Sequence, residues 1–109
     1  MKSAKRRRLQ AAGWKTGDAK DFLGMTDEEA LLVELKLALV SAVKRSRQRR
    51  RMSQMDLAQR MGSSQSRVAK IEAGDATVSL DLIVRALLAT GASRQELQRA
   101  FASKDKLAA

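Results

Sequence analysis

From Ser53 to Gly74 the chain reads SQMDLAQRMGSSQSRVAKIEAG, and this stretch restricts the possible folds more than any other. Ser53 is a good helix cap with Asp56 three residues on, so QMDLAQRM is expected to be helical. Gly62 tolerates a positive φ and stops that helix, and Ser64 caps a second one, QSRVAKIEA, that ends at Gly74. Two helices joined by a turn of about three residues are therefore expected from Gln54 to Ala73. Ala58 is small where they would cross, and Leu57, Met61, Val68 and Ile71 supply the apolar contacts that fix their angle. Gln65, Ser66, Arg67 and Lys70 are left for the other side of the second helix.

The rest of the chain also reads as helix. At 44% hydrophobic but 3% aromatic, with no Tyr, the core must be built from Leu, Val, Ile, Met and Ala, which favours helices over a sheet. There is no Pro, so helix ends must be set by Gly and polar caps. Thr26 and Glu29 form a capping box for a long helix, with Asp27 and Glu28 well placed for its dipole. Leu32, Leu35, Leu39 and Val43 mark one face, but Leu31, Leu37, Ala38 and Val40 spread apolar surface beyond a single stripe. Either the N-terminal arm folds back over this helix, or the helix meets a second copy or another partner. Ser79 caps LDLIVRALLATG, with Leu80, Ile83, Leu87 and Leu88 apolar and Gly91 at its end. Ser93 and Glu96 box a last helix bearing Leu97, Ala100 and Phe101. The expectation is an all-α, five-helix domain over residues 26–102, preceded by a basic arm (1–25) and followed by a short tail (103–109). Trp14 and Phe22 in the arm serve either to anchor it to the helices or, for Trp14, to contact a partner.

Charge then narrows the function. The chain has 22 Lys and Arg against 12 Asp and Glu, a net charge of +10, and such an excess on a small body attracts polyanions by counterion release. Lys44, Arg45, Arg47, Arg49, Arg50 and Arg51 form the densest run, just ahead of the helix pair. With no His and no Cys, thiol and imidazole catalysis, disulfides and the usual zinc sites are excluded, so neither an enzyme nor a metal or other cofactor is expected. The basic runs lack the bulky apolar face of a membrane-surface helix. MKSAKRRRLQAAGW has a basic start but no apolar stretch behind it, so the expected location is the cytoplasm.

The Ser53–Gly74 stretch resembles the helix-turn-helix of the Xre and Cro/C1 phage-repressor family. Ser53, Gln54, Leu57, Ala58, Met61, Gly62, Ser64, Ser66, Val68, Ile71, Glu72 and Gly74 match its pattern, and the likeness extends over roughly Leu39 to Gly91. The resemblance implies a lambda-repressor-like domain that binds double-stranded DNA, with Ser64, Gln65, Ser66, Arg67 and Lys70 at the base edges of the major groove. It implies that Gln54 clamps the DNA backbone, where Arg49, Arg50 and Arg51 would add charge contacts to phosphate. It further implies that Arg47 and Glu72 form a structural ion pair. Three positions depart from the pattern: Arg51 stands where the family often has Gly, Ser63 where an apolar turn residue is commoner, and Ser46 where a core Leu is usual. A different exit from the first long helix and different packing around it are therefore expected.

Members of this family gain affinity by pairing half-sites, so a homodimeric transcriptional regulator, a repressor reading a palindromic operator, is the first functional reading. The alternative is an antitoxin similar to HigA-like proteins, which represses its own operon and holds a cognate toxin on another surface. An RNA-binding role is disfavoured, because RNA readers stack bases on aromatic side chains and this chain has hardly any.

Overall fold

Hydroxyl side chains set the start of every helix among the described residues. Thr26, Ser53, Ser64, Ser79 and Ser93 accept hydrogen bonds from the backbone N–H groups of Glu29, Asp56, Arg67, Leu82 and Glu96 at 3.0–3.2 Å. Glu29, Asp56 and Glu96 reach back to the N–H groups of Thr26, Ser53 and Ser93, completing three capping boxes. The computed structural model describes residues 24–102, in which these caps open α1 (Asp27–Arg49), α2 (Gln54–Met61), α3 (Gln65–Glu72), α4 (Leu80–Ala89) and α5 (Arg94–Ala102). Every regular element among the described residues is a helix, which is the all-α, five-helix architecture expected from the sequence. The basic arm, with Trp14 and Phe22, lies outside the described residues except for Gly24 and Met25, as does the tail over 103–109.

Three of the helices end in one repeated turn. At the end of α2, Gly62 N–H bonds to Gln59 O and Ser63 N–H to Ala58 O, with Gly62 at φ 65°. At the end of α3 the same pair of bonds runs from Gly74 to Ile71 and from Asp75 to Lys70, with Gly74 at φ 72°. These are Schellman turns, in which one left-handed residue lets the chain reverse away from the helix. Helix α1 ends in the same way, Arg51 bonding to Gln48 O and Met52 to Arg47 O, but here the left-handed residue is Arg51, at φ 58°. An L-residue with a Cβ is strained in that conformation. The altered exit expected from the missing glycine is thus the usual turn carrying an unusual side chain.

The C-terminal half of α1 is the spine of the core. Leu39 and Val43 are fully buried against Leu57, Val68, Ile71, Ile83 and Leu87 from the other helices, and Ala58 brings α2 close to its neighbours. The N-terminal half behaves differently, for Leu31 and Leu32 are about half exposed and Leu35 only half-buried. The stripe read from the sequence is therefore core from Ala38 onward and surface before it. Leu88 and Phe101, read as apolar members of the last two helices, stay largely exposed, because Leu87 and Ala100 occupy the inward positions beside them.

Ser46, in place of the family's leucine, is buried and sits 2.6 Å from the Thr90 hydroxyl. Thr90 donates to Leu87 O at 2.6 Å, so Ser46 is the donor to Thr90, and Ser46 in turn accepts from Arg50 Nη1 at 2.6 Å. A chain of hydrogen bonds therefore enters the core from a surface guanidinium and ends on a helical carbonyl. This polar seam is the physical form of the different packing expected around position 46.

The Arg51→Gly variant is expected to be more stable than the parent by about 1 kcal/mol, the cost of a left-handed L-residue. Chemical denaturation measures this, and a variant of equal or lower stability would show that the turn is unstrained.

Candidate nucleic-acid interface

Helix α3 buries Val68 and Ile71 and turns its remaining side chains to solvent. With about 100° per residue, Ser66 and Lys70 lie on the crest opposite the core, while Gln65 and Arg67 fall on opposite shoulders. Gln65, Arg67 and Lys70 are exposed and make no side-chain hydrogen bond to another described residue, so their donors are available to an external ligand. The Ser64 hydroxyl is divided between capping Arg67 N–H and a 3.2 Å contact with the Ser66 hydroxyl. All five residues expected at the base edges are thus gathered on the exposed face of one short helix and its cap, Ser64 to Arg67 at the N-terminal end and Lys70 in the last turn.

The orientation of that helix is fixed from its other end. Arg47, on α1, donates through Nε to Glu72 Oε2 at 2.6 Å and through Nη2 to Oε1 at 2.9 Å. Its Nη1 donates to Met52 O at 2.9 Å, and the Gln54 amide donates to Glu72 Oε1 at 3.2 Å. One arginine and one carboxylate therefore tie together α1, the turn after it, the start of α2 and the end of α3. The pair is shielded, with side-chain exposures of 11% and 5%. Hydrogen bonding to Glu72 raises the Arg47 pKa further above its already high ordinary value, so the cation is permanent. Gln54, expected as a backbone clamp, is half-buried and held by Glu72 at the first position of α2, with part of its amide still open to hydrogen bonding.

The arginine run divides by position. Arg49 and Arg50, expected at phosphate, are both drawn to α5: Arg49 Nη2 meets Glu96 Oε2 at 2.8 Å and Arg50 Nη2 meets Oε1 at 3.0 Å. Arg50 also donates to Ser46 and to Gly91 O, so its guanidinium is built into the fold rather than left free. Arg51 is exposed, has no hydrogen bond or ion pair from its side chain among the described residues, and stands at the turn leading to Gln54. Glu96 is held at about pKa 2, first by the Ser93 backbone N–H and then by Arg50 and Arg49. Its role in collecting these arginines was invisible in the sequence, where 46 and 47 positions separate the partners. Asp56, the capping carboxylate of α2, is likewise held below its ordinary value by the Ser53 N–H.

On the Arg67 shoulder of α3, a shallow groove runs to the connection with α4. Ser66, Arg67 and Lys70 line one side of it, and Thr77 and Ser79 the other. Thr77 is fixed by its N–H, which donates to Asp75 Oδ1 at 2.8 Å. Sequence reasoning did not single out Thr77 or Ser79 for this surface. The signal was present in the short span between Gly74 and the Ser79 cap, which keeps the start of α4 beside α3.

Among the described residues no group of acidic, His or Cys side chains could hold a metal ion, and no helix is long and apolar enough to cross a membrane. Residues 38–100 match the sequence model of a family described as a helix-turn-helix domain. No curated protein and no solved structure matches the chain.

Two outcomes follow from the ion pairs. Arg47→Met or Glu72→Leu alone strands a shielded charge and is expected to cost about 3–5 kcal/mol, whereas the double variant should be markedly less destabilised than the sum. Simple additivity in denaturation would show that the two groups do not depend on each other. For Glu96, the folded carboxyl titrates at about 2 against an ordinary 4.5, so its contribution is complete above 4.5 and is lost as pH falls toward 2. Glu96→Gln keeps a capping side chain but loses the charge. Its stability deficit should be constant near neutrality and shrink steadily across that acid window; a deficit independent of pH would refute the charge assignment.

Proposed function

The chain belongs to the helix-turn-helix domain family, and on that premise we propose that it is a sequence-specific transcriptional regulator of the Xre and Cro/C1 type. It acts as a repressor in the cytoplasm and reads a palindromic operator as a homodimer. The observation that carries this reading is a short helix braced at its C-terminal end by Arg47 and Glu72, with Gln65, Arg67 and Lys70 unengaged on its exposed face and Ser66 touching only the Ser64 hydroxyl. Such a helix fits a major groove about 12 Å wide. Gln65 has the paired donor and acceptor that recognise adenine, and Arg67 and Lys70 can donate to guanine. Ser64 and Ser66 adapt to either.

Backbone contacts are assigned to Gln54 and Arg51, on the Gln65 side of α3. Arg49 and Arg50 contribute to the field but are committed to Glu96. Thr77 and Ser79 offer neutral donors on the opposite side of the groove. No catalytic role is assigned to any residue.

The exposed Leu31 and Leu32 on α1 favour a protein contact outside the DNA-reading face. In the repressor reading the second copy lies there, and in the antitoxin reading a cognate toxin does. A neighbouring reading frame for a small basic ribonuclease-like protein, with co-purification of the two chains, would select the antitoxin reading.

Selection of bound duplexes from a random pool tests the main proposal. Enrichment of a palindrome whose half-sites are centred about 10 base pairs apart is expected, and recovery of unenriched sequence would refute specific reading. On the selected duplex, Gln65→Ala should cost roughly tenfold in affinity while leaving random duplexes unaffected. Arg51→Gly should weaken both equally and reduce the salt slope by about 1. Identical behaviour of the two variants would overturn the division between reader and clamp.

A further inference from the structure

Helix α1 carries its arginines in two directions. Arg47 turns toward α3, and at about 100° per residue Arg45 and Arg49 lie roughly on the opposite side of the helix, one turn apart on a common face. That face meets α5. Between the two helices is a polar cleft with Arg45, Arg49 and Arg99 on its rim and Ala42, Leu87 and Ala100 at its base.

The charges in this cleft do not balance. Among the described residues Glu96 is the one carboxylate lining it, and both its oxygens are in use: Oε1 accepts from Arg50 at 3.0 Å and Ser93 N–H at 2.8 Å, and Oε2 from Arg49 at 2.8 Å. Arg45 and Arg99 are exposed and make no hydrogen bond or ion pair to another described residue. Two unspent arginines from different helices thus line the same cleft as a third that is held by a single bond to Glu96. The apolar base keeps water from one side of the cleft and strengthens its field. All three cations are arginines, whose planar donor fork matches the oxygens of a phosphate group.

We propose that the α1–α5 cleft binds the phosphate group of a small phosphorylated ligand, gripped by Arg45 and Arg99, with Arg49 shared between the ligand and Glu96. A dianionic group fits the two unspent cations. The site faces away from the side of α1 that meets α3, so it is separate from the proposed DNA contacts and does not depend on them.

The test is an NMR titration of the full chain with inorganic phosphate, following the arginine Nε–Hε signals at constant ionic strength with chloride as the control anion. Saturable shifts of Arg45, Arg49 and Arg99 are expected with phosphate and not with chloride. Arg45→Gln with Arg99→Gln should weaken binding at least about tenfold, the loss expected for two charge-assisted hydrogen bonds. Arg45→Lys with Arg99→Lys, which keeps the charge but not the fork, should fall between. Arg85→Gln, at an exposed arginine outside both surfaces, should bind phosphate as the parent does. Shifts that never saturate, that spread over all exposed arginines, or that survive in the Gln pair would overturn the site. So would a random DNA duplex that saturates these three signals at lower concentration than phosphate, because the cleft would then be part of a nucleic-acid surface.

Discussion

The bidentate contact between Arg47 and Glu72 is the constraint on which the remaining geometry depends. Helix α3 is only 8 residues long, too short to hold a direction by itself, and its apolar contribution is two side chains, Val68 and Ile71. A carboxylate at its C-terminal end is also unfavourable for the helix dipole. Pairing with Arg47 removes that penalty and converts the residue into an anchor. The guanidinium then reaches Met52 O, and Gln54 reaches the same carboxylate, so the start of α2 and the end of α3 are located by one shared group. What the outward end of α3 presents is set by contacts at its inward end.

A second polar system runs at right angles to the first in its logic. Arg50 links Glu96 on α5 to Ser46 and through it to Thr90 at the end of α4. Where a leucine would fill space between α1 and α4, this chain places two hydroxyls whose protons each have an assigned acceptor. Buried polar groups are tolerated only when fully satisfied, and here the satisfaction extends out to a surface carboxylate. From Arg47 to Arg51, the arginines that look uniform in sequence are therefore three things in space: a brace at Arg47, a tie to α5 at Arg49 and Arg50, and an exposed cation at Arg51.

Much of this was legible in the residues. Every helix start among the described residues was announced by a hydroxyl, boxed by a carboxylate three residues on at Thr26, Ser53 and Ser93, because capping is a local interaction. Gly62 and the Val68–Ile71 pair located the turn and the buried side of α3 for the same reason. The Arg47–Glu72 assignment came from resemblance alone, since nothing local connects residues 25 positions apart. What escaped was the long-range charge pairing at Glu96 and the partner of Ser46. The exposure of Leu32, Leu88 and Phe101 also escaped, because periodicity marks an apolar face without saying what covers it.

The turn at Arg51 has a wider consequence. Two of the three Schellman turns use the residue that fits them, and the third does not, so the domain sits below the stability its own architecture could reach. Selection maintains stability above a threshold rather than at a maximum, and positions kept in poor conformations record where something other than folding was favoured. If Arg51 takes the phosphate contact proposed for it, adaptation toward heat tolerance and adaptation toward ligand binding would pull the same codon in opposite directions.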